Sequence, residues 1–261
     1  MTTPRTASRC DVMKWISQTT REETFISPYD KTRQTYLIAE FGAGARHSAP
    51  LLILFLHGAL SHQQQGMTPE IYHNAFGRLA EWMAKRDVIY ICPEYRGNSW
   101  MGPAAEDDVR EIFRLAQDRY HPCKTLLIGG SMGGTSALIF ASRNPGLVDG
   151  ILAFCPATDV AAMTSRFSEH FNESYGGPPD QLPGVYLERS VRHHVGSLAE
   201  YRLAIIHGSA DTVVPVEHSR ELYAALRAAN ATVRYHEIEG GDHDSPVFVD
   251  FLAILDWVAA G

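Results

Sequence analysis

The serine at position 131 sits inside Gly129-Gly130-Ser131-Met132-Gly133, directly after the aliphatic stretch 126–128. G-x-S-x-G between a buried strand and a helix is the pattern of a nucleophile elbow, a sharp turn that lifts one hydroxyl clear of a sheet. Neighbours two residues away must lack side chains so that strand and helix approach closely. The backbone N–H of Met132 then opens the helix and points toward developing negative charge, helped by the helix dipole. Alone, the pattern is weak, because a glycine-rich loop matches it by chance. A serine hydroxyl is also a poor nucleophile without a base, and the base needs an orienting group.

Two later stretches offer those groups. "LAIIHGSADTVVP" (203–215) places Asp211 just after a buried strand and its turn, and "YHEIEGGDHDSP" (235–246) places His243 after the last strand and a Gly-Gly turn. The chain order serine, acid, histidine is the one an elbow of this type requires. All three residues fall at the carboxyl ends of strands, where open α/β sheets build their sites. Asp242 and Asp244 flank His243. A neighbour on the same turn does not easily reach the ring nitrogen facing away from the serine, so Asp211 is preferred as the acid.

The elements that must hold these residues alternate along the chain. "TFISP" (24–28) and "QTYLIAEFG" (34–42) read as a hairpin around the turn "YDKTR". "PLLILFLHG" (50–58), "DVIYICPEY" (87–95), "KTLLIGG" (124–130), "VDGILAFCPA" (148–157), "YRLAIIHG" (201–208) and "TVRYHEIEG" (232–240) read as strands, several of them continuous apolar runs covered on both faces. Helical spacing falls between them at 69–86 (Ile71, Ala75, Leu79 and Trp82 or Met83 inward), 104–120, 133–145, 216–230 and 246–260. The expected fold is therefore α/β, a mostly parallel sheet of about eight strands with helices on both faces and an antiparallel edge. Residues 159–197 interrupt the alternation with "YGGPPDQLPG", too rich in proline and glycine for one element. They are expected to protrude as a cap inserted into a single domain spanning 1–261.

With these placements the chain resembles the α/β-hydrolase superfamily over nearly its whole length, in particular its prolyl-oligopeptidase-like and dienelactone-hydrolase-like branch. The resemblance rests on "FLHGA" (55–59), "PEYRGNSWMG" (93–102), "AAEDDV" (104–109), "GGSMGG" (129–134), "HGSADTVVP" (207–215) and "GGDH" (240–243). It implies Ser131 as nucleophile, His243 as general base and acid, and Asp211 as its partner. It also implies an oxyanion hole made by the N–H groups of Met132 and Ala59, or of Leu60 if the turn is shifted by one. Arg96 becomes an organiser of nearby loops under the same resemblance, although Tyr95, Arg96 and Asn98 follow a strand and are candidates to border the cleft. Prolyl oligopeptidases carry a propeller before the hydrolase domain, whereas "FLHG" begins at Phe55 in this sequence, which argues against oligopeptidase activity. The expectation is a catalytic domain without that size filter.

Other residues carry less. His62, in "LSHQQQG", and His193-His194 in the cap are possible cleft residues, with a plain loop or packing role as the alternative. His57 and His207 each precede a glycine at a strand end and read as groups that hydrogen-bond loops. No H-E-x-x-H or comparable cluster appears, so neither a catalytic metal nor a cofactor is expected. The formal charge is -7 and no basic stripe stands out, which argues against nucleic acid as a partner. No apolar run has the length of a membrane span, and the N-terminus lacks a signal-peptide core. The four cysteines include no C-x-x-C pair. Cys92 and Cys155 read as buried reduced thiols, and the expected location is cytoplasmic.

The expected activity is hydrolysis of a carboxylic ester of a small or medium substrate through an acyl-enzyme on Ser131. A small aminopeptidase-type serine peptidase acting on short peptides is the alternative. It would need an acidic anchor for a free amine, for which Glu94, Glu169 and Glu173 are candidates. A non-catalytic binding protein on the same fold is the third reading, and the complete set of site residues argues against it.

Overall fold

A computed structural model describes residues 19–42, 49–67 and 75–260. Ile71 and Cys10 lie outside these residues. Eight strands form one sheet: β1 (Arg21–Ile26), β2 (Arg33–Phe41), β3 (Leu51–Leu56), β4 (Val88–Pro93), β5 (Lys124–Gly130), β6 (Gly150–Phe154), β7 (Arg202–Gly208) and β8 (Val233–Ile238). Their spatial order is β1-β2-β4-β3-β5-β6-β7-β8. β1 and β2 are antiparallel to their neighbours and the remaining pairs are parallel.

The period-2 alternation of strands decides which side chain meets which layer. Leu52, Leu54 and Leu56 of β3 join one buried cluster, and Ile53 and Phe55 join the other. Helices α2 (Pro103–Tyr120), α3 (Met132–Arg143) and α7 (Glu217–Ala228) cover the first face, through Val109, Ile112, Leu138, Phe140, Leu222 and Leu226 among others. Helices α1 (Ala75–Ala84) and α8 (Leu252–Ala259) cover the second, through Leu79, Trp82, Met83, Leu255 and Val258. From β3 the chain crosses to β4 on one side and then returns past β3 to β5 on the other. Ligands bind at such a reversal, in the crevice outside the carboxyl ends of the strands. The ends of β3 and β5 carry Ala59 and Ser131.

Three elements differ from the sequence expectation. β1 begins at Arg21, three residues before the expected 24–28 strand, because its charged residues pair laterally. Arg21 bonds Glu23 and Glu40, each at 2.8 Å, and Arg119 reaches Glu23. The stretch 159–197 contains the helix α4 (Thr164–Tyr175), besides the short α5 (Pro183–Arg189) and α6 (Val195–Leu198). Phe171 and Tyr175 bury one face of α4, and Trp100 packs on Phe167 and Phe171. The closing helix starts at Leu252, because residues 245–247 form a separate single turn. The guanidinium of Arg78 donates to the carbonyls of Val247, Phe248 and Val249, so those groups are satisfied without helix continuation.

Candidate active site

β5 ends at Gly130 and α3 begins at Met132, so Ser131 alone makes the turn. Its backbone has φ 55 and ψ -121. A conformation of this kind costs a non-glycine residue on the order of 1–3 kcal/mol and persists only where its surroundings over-determine it. They do so here. Ser131 N–H donates to Phe154 O at 2.9 Å, and Ser131 O accepts from Thr135 N–H at 2.9 Å and from the Thr135 hydroxyl at 3.1 Å. The glycines serve closeness. A Cβ on Gly129 would stand 2.5 Å from the Gly133 carbonyl carbon, and one on Gly133 would overlap Leu56 O and stand 2.8 Å from His57 O. Neither glycine has a positive φ, so packing alone excludes a side chain there.

The loop after β3 is fixed from several directions. Gly58 N–H donates to Gln65 Oε1 at 2.7 Å, and the Tyr95 hydroxyl donates to His57 O at 2.6 Å. Leu60, at φ 60, donates its N–H to Asn98 Oδ1 at 2.6 Å. That bond removes Leu60 from consideration as a free donor. The N–H groups of Ala59 and Met132 have no hydrogen-bond partner among the described residues. Met132 also stands at the positive end of the α3 dipole.

Asp211 follows β7 and His243 follows β8, on neighbouring parallel strands. His243 Nδ1 lies 2.6 Å from Asp211 Oδ2, and the Asp211 side chain is fully buried. Its other oxygen accepts from the N–H groups of Val213 and Val214 at 2.7 and 2.9 Å. His207 Nε2 approaches Oδ2 at 3.1 Å and Val214 O at 2.9 Å, while its Nδ1 faces the Ser219 hydroxyl at 2.6 Å. Burial works against the Asp211 carboxylate, but the hydrogen bonds from His207, His243 and the Val214 N–H outweigh it and hold its pKa below the usual carboxylate range. Burial also works against a His243 cation. The Asp211 hydrogen bond outweighs it, and the His243 pKa lies above the ordinary histidine value. Asp242 is engaged elsewhere, accepting from Ser245 N–H and the Ser245 hydroxyl at 3.0 and 2.7 Å, and Asp244 is exposed.

β6 joins the two halves. Phe154 O holds Ser131, and the next residue, Cys155, reaches across the other way. Its N–H donates to Ile206 O at 2.8 Å and its thiol to His243 O at 3.5 Å. Ser131 Oγ makes no hydrogen bond to His243 in this resting arrangement, which is common before substrate draws the groups together.

The remaining candidates take other positions. Tyr95 is buried and supports the Ala59 loop from beneath, so it does not line a cleft as expected. Arg96 bonds Asp108, Asp30 and Ser27 at 2.6–3.1 Å, tying the β1–β2 turn to α2. Burial lowers and these carboxylates raise its pKa, and the Asp30 hydrogen bond is the largest of the effects. His62 is exposed and caps a single helical turn by accepting from Gln64 N–H at 3.3 Å. His193 is exposed, and His194 faces Leu187 O at 3.2 Å. Glu94 accepts from Gln63 N–H at 3.0 Å. A cavity of about 370 Å³ opens beyond Asn98, lined by Tyr29, Arg96, Asn98, His170 and Glu173. Sequence reasoning missed the second partner of Asp211, His207, and the bridging place of Cys155. For both, the available signal was position at the carboxyl end of a core strand.

This sheet, with its serine corner between β5 and α3 and its acid and histidine after β7 and β8, is the α/β-hydrolase fold. Within it the chain belongs to the prolyl oligopeptidase family, whose sequence pattern matches residues 113–259. A relative, the inactive dipeptidyl peptidase 10 of Rattus norvegicus, is 33% identical over 139 residues, which are 52% of this chain and 17% of that protein. The present chain thus corresponds to a small part of that relative's length. A puromycin-hydrolyzing peptidase of Mycobacterium tuberculosis superposes with a TM-score of 0.73 at 17% identity, over 92% of this chain and 39% of that one. An S-formylglutathione hydrolase from Agrobacterium tumefaciens superposes with a TM-score of 0.69 at 16% identity, over 92% and 94% of the two chains.

Proposed function

We propose that this chain is a serine hydrolase that cleaves carboxylic esters of small or medium substrates through an acyl-enzyme on Ser131. One observation carries the reading: a serine held at positive φ, with the N–H groups of Met132 and Ala59 lacking a partner among the described residues, and His243 paired to the buried Asp211 on neighbouring strand ends. The bent backbone has no structural use that a glycine would not serve better, so the hydroxyl is what it presents. His243 Nε2 takes the Ser131 proton as Oγ attacks the carbonyl carbon. The oxygen, now an alkoxide, lies against the N–H groups of Met132 and Ala59, each such donor lowering the barrier by about 3 kcal/mol. The Asp211 carboxylate stabilises the imidazolium formed at that moment and fixes the tautomer that forms it. His243 then protonates the leaving alcohol, and water repeats the sequence on the acyl-enzyme. No step calls for a cofactor.

A peptidase reading keeps support from the family and from the exposed Glu173 carboxylate at the rim of the cavity beside Asn98. Side-by-side turnover of p-nitrophenyl butyrate and an aminoacyl-p-nitroanilide separates the two, and faster anilide cleavage would overturn the esterase assignment. A fluorophosphonate probe is expected to label the wild type and not Ser131→Ala. A folded wild type that resists labelling would leave a non-catalytic binding protein as the answer.

Residues 159–197 act in this reading as a cap over the site within one domain, and the chain works in the cytoplasm. Cys92, Cys123 and Cys155 are free thiols, as a reducing compartment would keep them. Among the described residues no helix is long and apolar enough to cross a membrane.

A further inference from the structure

The thiol of Cys155 has no place in the acyl-transfer sequence, yet it stands beside its two most important partners. One ligand-type atom each from Cys155, Asp211 and His243 lies within 4.8 Å of the others. Cys155 and the Asp211 side chain are buried, and His243 is one-fifth exposed, which leaves an approach from the solvent side of the ring. Cys155 is held with φ 37 directly after β6, its N–H bonded to Ile206 O and its thiol turned to His243 O. A cysteine kept only to fill space gains nothing from a left-handed backbone.

We propose that Cys155, Asp211 and His243 form a zinc site whose occupation switches the hydrolase off. Sulfur, nitrogen and carboxylate oxygen are the donor set of a tetrahedral Zn²⁺ with water in its fourth position, at about 2.3 Å to sulfur and about 2.0–2.2 Å to nitrogen and oxygen. A thiolate donor selects zinc over the oxygen-preferring Mg²⁺ and Ca²⁺. The adjustment required is small. His243 Nδ1 and Asp211 Oδ2, 2.6 Å apart around a shared proton, must open enough to admit the metal between them.

The proton balance explains the inhibition. Cys155 loses its thiol proton to solvent. The neutral imidazole gives up the proton on Nδ1, carries one on Nε2 instead, and binds zinc through the Nδ1 lone pair. Nε2 is the nitrogen that must accept from Ser131, so the zinc-bound histidine is locked in the wrong tautomer. Asp211 is at the same time withdrawn from its orienting task.

The loss of activity rests on the hydrolase reading, but the metal site does not, and the test keeps them apart. Zinc binding to the full, reduced chain is measured by equilibrium dialysis. Co²⁺ substitution is followed by the near-ultraviolet sulfur-to-cobalt band, and hydrolysis of p-nitrophenyl butyrate is followed against added Zn²⁺. Wild type and Ser131→Ala are expected to bind one zinc with equal affinity, and zinc is expected to abolish ester turnover by the wild type. Cys155→Ser should bind at least about tenfold more weakly, and whatever turnover it retains should resist added zinc to the same extent. Replacing both Cys10 and Cys123 by serine should leave the cobalt band in place. Equal zinc affinity in Cys155→Ser, or loss of the band with Cys10 and Cys123, overturns the site. Should Cys155→Ser fold poorly, Cys155→Ala and the metal binding of Asp211→Asn decide the matter by the same criterion. One bound zinc on a protein with no ester turnover would sustain the site and sink the hydrolase reading.

Discussion

Replacing Asp211 by asparagine exchanges one carboxylate oxygen for an amide nitrogen, and the surrounding hydrogen bonds decide which one. Oδ1 accepts from two backbone donors, the N–H groups of Val213 and Val214. These donors cannot be reversed, so in Asp211→Asn the amide oxygen must occupy that position. The NH₂ group then faces His243 Nδ1 at the place where Oδ2 lay 2.6 Å away. A donor opposite Nδ1 is satisfied only when Nδ1 is an acceptor, which puts the imidazole proton on Nε2. The base is then presented to Ser131 with its proton on the wrong nitrogen. His207 is spared, because its Nε2 keeps Val214 O and its Nδ1 keeps Ser219. The expected result is a folded protein whose kcat falls by about 10⁴-fold. At 1.36 kcal/mol per factor of ten, that is about 5 kcal/mol of transition-state stabilisation. Steady-state hydrolysis of p-nitrophenyl butyrate measures it, and thermal melting of the same preparation checks the fold. Activity within tenfold of wild type would refute the argument, as would an equal loss from Asp242→Asn, whose parent carboxylate accepts from Ser245 rather than from His243.

Two further outcomes follow from the same structure. Because the His243 pKa is raised, kcat/KM of the wild type should climb with pH through a midpoint above the ordinary histidine value of about 6.5, and a midpoint at or below it would contradict the Asp211 pairing. The raised value also means that His243 stabilises the fold fully below its unfolded pKa and ceases to do so as pH rises through the folded one, while Asp211, with its depressed pKa, stabilises above its unfolded value and fails as pH falls; melting temperature against pH, compared with Asp211→Asn, reads both limbs. Away from the site, the buried Glu106 binds the equally buried Arg189 at 2.9 Å and Arg143 at 2.8 Å, so Glu106→Ala should cost about 3–5 kcal/mol in denaturant unfolding, and a loss under about 1 kcal/mol would show that Arg189 finds another partner.

Much of the fold could be read from the chain because its core strands are apolar runs broken by glycine; Ser131 and Asp211 each follow one, and His243 follows the polar edge strand β8 and its Gly-Gly turn. What stayed hidden depends on partners remote in sequence. The charged start of β1 became a strand through Glu40 and Arg119. The delayed start of α8 follows from Arg78, whose side chain takes up the carbonyls a helix would have used. Tyr95 is a cleft candidate from its place after a strand, and nothing in its neighbours along the chain signals that its hydroxyl turns under His57. Helix α4 was legible after all, since Phe167, Phe171 and Tyr175 recur every four residues. The proline-glycine run that starts at Gly176 obscured them.

Asp159 accepts from the N–H groups of Ala161 and Ala162 at the beginning of the stretch between β6 and β7, and it also meets the Ser190 hydroxyl at 3.3 Å and Arg192 at 3.1 Å near its end. A length of chain buckled to itself at the base behaves as an exchangeable fitting. Its interior can lengthen, shorten or change sequence at a closure cost that grows only slowly with length, while the two strands beneath stay where they are. The edge of the sheet that carries Ser131, Asp211 and His243 and the inserted stretch are therefore free to diverge at different speeds, with one aspartate as the fastening at the base of the insertion.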